Sequence, residues 1–134
     1  MISVNNSVLP HQYPFLFIDR VVESEPGKWV KGYKFITEND WFMTENQKEM
    51  PFSIIIEALA QTAAFTALKD SAEIGFLSSV KKAEYTGKVV VGDKLDLYFE
   101  VSRFKRGFLF GNGTASVNGK PAAKAEIGIF MEAK

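Results

Sequence analysis

The segment 50–65 is apolar along almost its whole length, and Glu57 is its single charged residue. The segment is rich in Ala, Leu, Ile and Gln, and Pro51 precedes these residues, so it predicts a helix over Ser53–Lys69 with Ser53 as the N-cap. A helix that is apolar on nearly every side must be covered on every side. One highly curved sheet covers most of such a helix, and a second copy of the chain covers the rest. We therefore predict an α+β architecture that forms oligomers.

Glu57 is the strongest candidate for a functional residue. A carboxylate that stays ionised and buried without a partner costs more free energy than one helix provides, so Glu57 must be solvated, paired or used in chemistry. Gln61 lies one helical turn further along the same face, where its amide can hydrogen-bond the carboxylate. Two interpretations stay open. Glu57 is either a catalytic or ligand-orienting group, or a structural carboxylate held by hydrogen bonds and the helix dipole.

The remaining patterns predict strands. A hairpin is expected from Phe15–Ser24 and Trp29–Ile36, which a turn at Glu25–Lys28 connects, and the polar loop Thr37–Glu49 follows it. Asn118-Gly119 is the strongest two-residue hairpin signal in the chain. The second half predicts an antiparallel meander with a turn at Lys105-Arg106-Gly107. Its extended segments are Gly75–Thr86, Lys94–Ser102, Phe108–Val117 and Lys124–Glu132, and the second and fourth of these alternate apolar and polar residues.

The composition limits the class of protein. The length of 134 residues is typical of one domain, which we assign to residues 1–134. Sixteen basic and sixteen acidic side chains give no net charge, whereas nucleic-acid binders usually carry a basic excess. The chain contains no cysteine, which excludes disulfides, thiol nucleophiles and zinc–thiolate sites. Neither a membrane span nor a signal peptide is recognisable, so we expect a cytoplasmic protein that binds neither nucleic acid nor metal.

Three motifs resemble one known family. They are LPHQYPFLFIDRV at residues 9–21, MPFSIIIEALAQ at residues 50–61 and VVGD at residues 90–93. In the same order, they resemble the opening signature, the start of the central helix and a later strand of the hotdog-fold (3R)-hydroxyacyl-acyl-carrier-protein dehydratases. These are the FabZ/FabA-like enzymes of bacterial fatty-acid synthesis. The match spans essentially the whole chain, and the first two motifs are specific when they occur together.

The resemblance implies a fold, partners and a mechanism. In this family a curved antiparallel sheet of six or seven strands wraps one long central helix, and obligate dimers form a tunnel for an acyl chain at their interface. The acyl chain arrives on an acyl carrier protein or as an acyl-CoA thioester, so phosphopantetheine belongs to the substrate and no separate cofactor is implied. A carboxylate matching Glu57 acts with a histidine from the other subunit's loop, and the backbone amide of a glycine just before the helix polarises the thioester carbonyl.

The chain departs from the family pattern at two places. The loop segment Asn39–Glu49 contains no histidine, and His11, the one histidine of the chain, lies in the first motif, where its ring is expected to tie down a turn. Phe52 stands at the position of the family's glycine. The resemblance therefore supplies only half of the usual acid–base pair, with Glu57 as the catalytic residue.

The substrate-binding residues expected from the resemblance lie on the loop and along the helix. They are Phe42, Pro51, Phe52, Ser53 and Gln61. The cluster of Trp41, Phe42 and Met43 either belongs to the core or a dimer interface, or lines the acyl tunnel. A further set of cations either forms a docking patch for an acidic carrier protein at one end of the sheet or is scattered and solvated. These cations are Lys81, Lys82, Lys88, Arg103, Lys105 and Arg106.

Three functions remain in competition. The first is a dehydratase-like protein of fatty-acid or polyketide-type metabolism that binds or slowly dehydrates 3-hydroxyacyl thioesters. The second is a thioesterase in which the helix carboxylate activates water without a histidine. The third is a non-catalytic acyl binder, or a partner subunit in a heteromer with an active homologue, which the missing loop histidine and Phe52 favour.

Overall fold

The computed structural model describes residues 15–66 and 73–133, and these residues form one helix and a single six-stranded antiparallel sheet. The helix α1 is Phe52–Ala64. The strands are β1 Arg20–Glu25, β2 Trp29–Phe35, β3 Glu73–Tyr85, β4 Lys94–Lys105, β5 Phe108–Val117 and β6 Lys120–Ala133. In the described residues no helix is long and apolar enough to cross a membrane. The expected α+β class is confirmed, with one helix and an antiparallel sheet.

The order of the strands in the sheet differs from their order along the chain. The sheet runs β1-β2-β4-β5-β6-β3. The predicted meander is confirmed for β4, β5 and β6, but it does not include β3, which pairs with β6 at the edge. The helix α1 connects β2 to β3 and packs against β2, β3, β4, β5 and β6. This crossover connection from β2 through α1 to β3 therefore carries β3 to the far edge of the sheet, and β4 occupies the position beside β2.

The predicted N-cap of the helix is wrong. Pro51 is the N-cap, and its carbonyl oxygen accepts hydrogen bonds from the backbone N–H groups of Ile54 and Ile55. Proline has a fixed φ that suits a helix start, and it has no N–H that would need a partner. Ser53 is instead an exposed residue of the first turn, and among the described residues no side chain caps the helix by a hydrogen bond. The helix ends at Ala64, before the predicted end at Lys69, which lies outside the described residues.

The core lies between α1 and the inner face of the sheet. The alternation predicted for β4 and β6 is confirmed, because the apolar positions except the half-buried Val101 are buried, while most of their polar neighbours are exposed or half-buried. The buried side chains on these two strands are Leu95, Leu97, Phe99, Ala125, Ile127, Ile129 and Met131. Gly75 of β3 lets the edge strand approach the helix, since a Cβ atom there would lie 2.8 Å from the Cβ atom of Ala64.

The three predicted hairpin turns are confirmed, and the turn at Glu25–Lys28 joins the paired strands β1 and β2. Asn118 and Gly119 have φ values of 52° and 80°, and Arg106 and Gly107 have φ values of 53° and 82°. A two-residue hairpin with positive φ at both positions matches the twist of the strands that it connects. The turns at Arg106-Gly107 and Asn118-Gly119 fix the registers of β4, β5 and β6, which form part of the sheet face against which α1 packs.

Candidate functional site

Glu57 lies in the second turn of α1, on the one face of the helix that the sheet leaves partly open. Ser53, one turn earlier, is exposed, and Ile54 and Glu57 are half-buried, whereas every residue from Ala58 to Ala64 is buried. The Oε1 atom of Glu57 lies 3.5 Å from the Nε2 atom of Gln61, which donates a long hydrogen bond to it. The predicted contact between these two side chains is confirmed, and Glu57 is neither fully buried nor fully exposed.

Gln61 fixes the orientation of the groups beside Glu57. Its side chain is 1% exposed. The Oε1 atom accepts a hydrogen bond of 2.7 Å from the backbone N–H of Phe17, and the Nε2 atom donates one of 2.8 Å to the carbonyl oxygen of Phe15. Because both ends of the amide are held by backbone groups, its NH₂ group can point only toward Phe15 and Glu57. Gln61 was expected to contact substrate, and in the structure it attaches the segment before β1 to the helix.

An aromatic cluster lies on the segment that Gln61 holds. The ring of Phe17 lies 5.9 Å from that of Phe42 and 6.3 Å from that of Trp41, measured between centroids. Trp41 also contacts Phe15 at 6.3 Å. Phe42 is only 5% exposed, whereas Trp41 is 50% exposed. Of the two possibilities for this cluster, the structure assigns Phe42 to the core, and it leaves the ring of Trp41 at the surface.

The start of the helix contains an aromatic contact that sequence reasoning missed. The ring of Phe52 lies 5.5 Å from the ring of Tyr85, at the end of β3. Desolvation of the Tyr85 hydroxyl, and secondarily the negative charge of Glu49, raise the pKa of Tyr85 above its ordinary value of 10.0. The bulky side chain of Phe52 thus packs beside the first turn, next to Pro51 and Ser53. No sequence signal pointed to Tyr85, because the pairing of β3 with β6 brings it there.

A buried lysine is the second feature that sequence reasoning missed. Lys34 of β2 lies beside a cleft of about 330 Å³, whose other walls include Phe17, Trp41 and Phe42. Its Nζ atom is 3.2 Å from the Oδ1 atom of Asp40 and 3.8 Å from the Oδ1 atom of Asp19. Among the described residues, no group of three or more carboxylates or histidines is placed to hold a metal ion.

The six cations considered as a docking patch do not gather at one end of the sheet. Lys88 lies near the start of the helix, where its Nζ atom is 3.8 Å from the Oε1 atom of Glu49. Arg103 packs over the ring of Phe110 at 4.4 Å, close to the opposite end of the sheet, where the hairpin of Lys105 and Arg106 turns. The six cations therefore do not form one patch, because Lys88 lies apart from the others, whereas Lys81 and Arg103 line one cleft of about 360 Å³.

Comparison with known proteins gives one consistent result. Residues 9–126 match the model of a FabA-like domain. The chain is 62% identical to the uncharacterized protein YcsD of Bacillus subtilis (strain 168) over 96% of this chain and 99% of that protein. It is 41% identical to the 3-hydroxyacyl-[acyl-carrier-protein] dehydratase FabZ of Clostridium kluyveri over 93% of this chain and 90% of that enzyme.

Solved structures share the fold at low sequence identity. The dehydratase heterocomplex ApeI:P from Xenorhabdus doucetiae matches with a TM-score of 0.83 and 16% identity, covering 100% of this chain and 93% of that one. A hypothetical thioesterase from Streptococcus pneumoniae TIGR4, solved with coenzyme A, matches with a TM-score of 0.65 and 12% identity, covering 86% of each chain. At these identities the structures indicate a common hotdog fold and nothing about substrate.

Proposed function

Because the chain belongs to the FabA-like family of hotdog-fold dehydratases, we propose that it binds 3-hydroxyacyl thioesters on acyl carrier protein and dehydrates them slowly. The observation that supports this most is the position of Glu57, held by Gln61 on the partly open face of α1. As part of the proposal, the protein acts in the cytoplasm as a homodimer, in fatty-acid or polyketide-type metabolism, and needs no cofactor beyond the phosphopantetheine of its substrate.

The chemistry requires two proton transfers. The α-carbon of the 3-hydroxyacyl thioester loses a proton, and the bond from carbon 3 to its hydroxyl oxygen breaks as that oxygen takes a proton and leaves as water. The product is the enoyl thioester. The Glu57 carboxylate can accept the α-proton and, as the carboxylic acid, return it to the departing hydroxyl group. One acid–base group contributes about 10²–10⁴-fold, and the segment Asn39–Met50 has no histidine to supply a second one, so slow turnover is expected.

The proposed contacts with substrate follow the same face. The thioester end of the substrate lies beside Pro51, Phe52 and Ser53. The ring of Phe52 packs beside the ring of Tyr85, so it limits how closely the thioester can approach the first turn of α1. Gln61 and Phe42 are both buried, so in this proposal they hold the substrate-contacting residues in place from the core side. This crowding is a further reason to expect slow turnover.

The test measures turnover of 3-hydroxyacyl and crotonyl thioesters of a carrier protein by the purified full chain. Absorbance reports formation or hydration of the enoyl thioester, and a thiol reagent reports hydrolysis. Because the chain contains no cysteine, every thiol detected comes from the cleaved thioester or from the carrier. We expect dehydration at a rate at least a hundredfold below the roughly 10 s⁻¹ of an ordinary enzyme. Thiol release faster than dehydration would favour the thioesterase function instead.

Glu57→Gln is the decisive variant, with Glu45→Gln as its control, because Glu45 is an exposed loop carboxylate that undergoes the same substitution. We expect Glu57→Gln to fold, since the side chains are nearly isosteric, and to lose turnover, while Glu45→Gln retains it. Equal activity and equal acyl binding in Glu57→Gln and the wild type would assign Glu57 to structure alone. Wild-type turnover near 10 s⁻¹ would refute the slow-catalyst proposal.

His11 is the one histidine that can replace the missing loop residue, and it lies outside the described residues. The proposal of slow catalysis predicts that His11→Ala turns over at the same slow rate as the wild type. If the wild type is fast and His11→Ala is slow, His11 is the replacement base.

A second candidate function is that of a partner subunit for an active homologue. Two observations favour it, the loop without a histidine and the likeness in fold to a dehydratase that forms a heterocomplex. The test is to mix the chain with a histidine-containing homologue encoded in the same genome. A stable heteromer whose activity falls when this chain carries Glu57→Gln would support the partner role. Two species that elute separately would contradict it.

A further inference from the structure

Lys34 is a charged side chain in the core, and the contacts around it connect three segments. It is the one Lys, Arg, Asp or Glu residue that is buried in the described part of the chain, with 6% exposure. Its ammonium group lies 3.2 Å from Asp40 and 3.8 Å from Asp19, and 6.0 Å above the ring of Phe42. Burying an ammonium group is costly unless carboxylates compensate it, so these contacts constrain where both carboxylates can lie.

Each carboxylate also binds the backbone through its second oxygen. The Oδ2 atom of Asp19 accepts a hydrogen bond of 2.8 Å from the N–H of Phe35, and the Oδ2 atom of Asp40 accepts one of 2.9 Å from the N–H of Thr37. Asp19 therefore fixes the residues before β1 to the end of β2. Asp40 fixes the turn at the start of the loop. The ammonium group of Lys34 lies near both carboxylates and so connects Asp19 to Asp40.

The segment held by Lys34 continues directly to the candidate site. Asp40 is followed by Trp41 and Phe42, whose rings pack on Phe17. The backbone N–H of Phe17 is held by Gln61, whose amide also contacts Glu57. A displacement of Asp40 must therefore move the aromatic rings, and these rings pack against the segment that Gln61 attaches to α1.

We propose that Lys34 is a positioning residue that fixes the segment 40–42, and with it the ring of Trp41, against Phe17, which Gln61 attaches to the helix beside Glu57. The contacts described above support the positioning of Trp41. The further claim, that this positioning promotes acyl binding, rests on the proposed function. Replacing Lys34 by methionine keeps the apolar length of the side chain but leaves Asp19 and Asp40 without their common cation. The turn at the start of the loop is then expected to loosen while the hydrophobic core persists.

Trp41 provides a local readout. The chain has two tryptophans, so Trp29→Phe leaves Trp41 as the only one. In this background, acrylamide quenching of fluorescence measures the accessibility of Trp41 without any ligand, and titration calorimetry measures binding of crotonyl-CoA. The variants are Lys34→Met and Lys34→Arg. The matched control is Lys31→Met, the same substitution at an exposed position of β2.

We expect the quenching constant of Trp41 to rise at least twofold in Lys34→Met and the affinity for crotonyl-CoA to fall at least tenfold. Lys34→Arg should recover most of both values, and Lys31→Met should match the background protein. Unchanged quenching in Lys34→Met overturns the proposal. Increased quenching with unchanged affinity would support the positioning of Trp41 by Lys34 but would overturn its role in acyl binding, because binding would then not depend on this contact. If the background protein itself binds no crotonyl-CoA, the proposed function fails for this thioester, and the quenching data alone decide the positioning of Trp41.

A second variant covers the case in which Lys34→Met does not fold. Asp40→Asn keeps the shape of the side chain, but its NH₂ group must face either the ammonium group of Lys34 or the N–H of Thr37, so one contact is lost. Increased quenching of Trp41 in a folded Asp40→Asn protein supports the proposal, and unchanged quenching contradicts it.

Discussion

Gln61 is the residue on which the geometry beside Glu57 depends most directly. Its oxygen accepts a hydrogen bond from Phe17, and its nitrogen donates to Phe15 and to Glu57. The sequence predicted the contact with Glu57 from the spacing of one helical turn. It could not predict the two backbone contacts, because they depend on how the segment before β1 crosses the helix.

We predict that Gln61→Met lowers the free energy of unfolding by about 1–3 kcal/mol, because the buried N–H of Phe17 loses its hydrogen-bond partner while the volume of the side chain is kept. Urea unfolding measures the change. Ser53→Ala is the control on the same helix, and since the Ser53 side chain forms no capping bond it should stay within about 0.5 kcal/mol of the wild type. A loss of about 1 kcal/mol in Ser53→Ala would restore Ser53 as a cap.

Tyr85 predicts how stability depends on alkaline pH. Its pKa is raised in the folded protein, mainly by desolvation and also by Glu49. Well below the ordinary pKa of 10.0 the hydroxyl is protonated in both states, so its contribution to stability is fully present. As the pH rises further, the unfolded chain ionises first, and this contribution is lost as the pH passes through the folded pKa. In urea unfolding between about pH 9 and 11, Tyr85→Phe should therefore lose stability less steeply than the wild type. Parallel curves would contradict this.

At the scale of elements, the sequence predicted that β3 is a strand but not where β3 lies in the sheet. The extended segment Gly75–Thr86 indicated a strand, and the periodicity of β4 and β6 gave their buried faces correctly. Periodicity identifies which side of a strand is buried but not which strand lies beside it. The pairing of β3 with β6 is set by the crossover through α1, so the contacts of Tyr85 were not predictable. Lys34 was missed for a related reason, since its two partners come from different segments.

The contact between β3 and the end of α1 can be tested with two glycines. A Cβ atom at Gly75 would lie 2.8 Å from the Cβ atom of Ala64, whereas at Gly87 the nearest atoms would be 3.5 Å away, which is ordinary contact. We predict that Gly75→Ala lowers the free energy of unfolding by about 1–3 kcal/mol, because the strand must move away from the helix. Gly87→Ala should have little effect. Equal stability of the two variants in urea would show that β3 and α1 are not closely packed.

At the scale of the whole molecule, the sheet ends in a strand with exposed apolar side chains. Val80 pairs with Ile127 and so lies on the inner face of β3, yet it is 39% exposed. Leu77 is similarly exposed, and Phe76 projects from the same strand. An exposed apolar edge of this kind is typical of an association surface.

We predict that the protein is a homodimer at micromolar concentration and that Val80→Lys dissociates it, because the new charge would be buried at the interface. Light scattering measures the mass. The control is Val22→Lys, the same substitution at an exposed valine of β1, on the opposite edge of the sheet. A wild-type monomer would refute the prediction. Dissociation by Val22→Lys alone would place the interface at the other edge.

The position of β3 in the sheet also determines when the sheet can be completed during synthesis. The ribosome produces α1 and β3 before β4, β5 and β6, so the edge of the sheet cannot close until β6, the partner of β3, has emerged. Until then, the apolar faces of α1 have only β2, the unpaired β3 and the growing β4–β5 ribbon to pack against. Such long-range pairing makes folding slow and exposes apolar surface during translation. The crossover that completes the core of the finished protein therefore leaves its nascent chain with exposed apolar surface, and we expect chaperones to bind the chain at that stage.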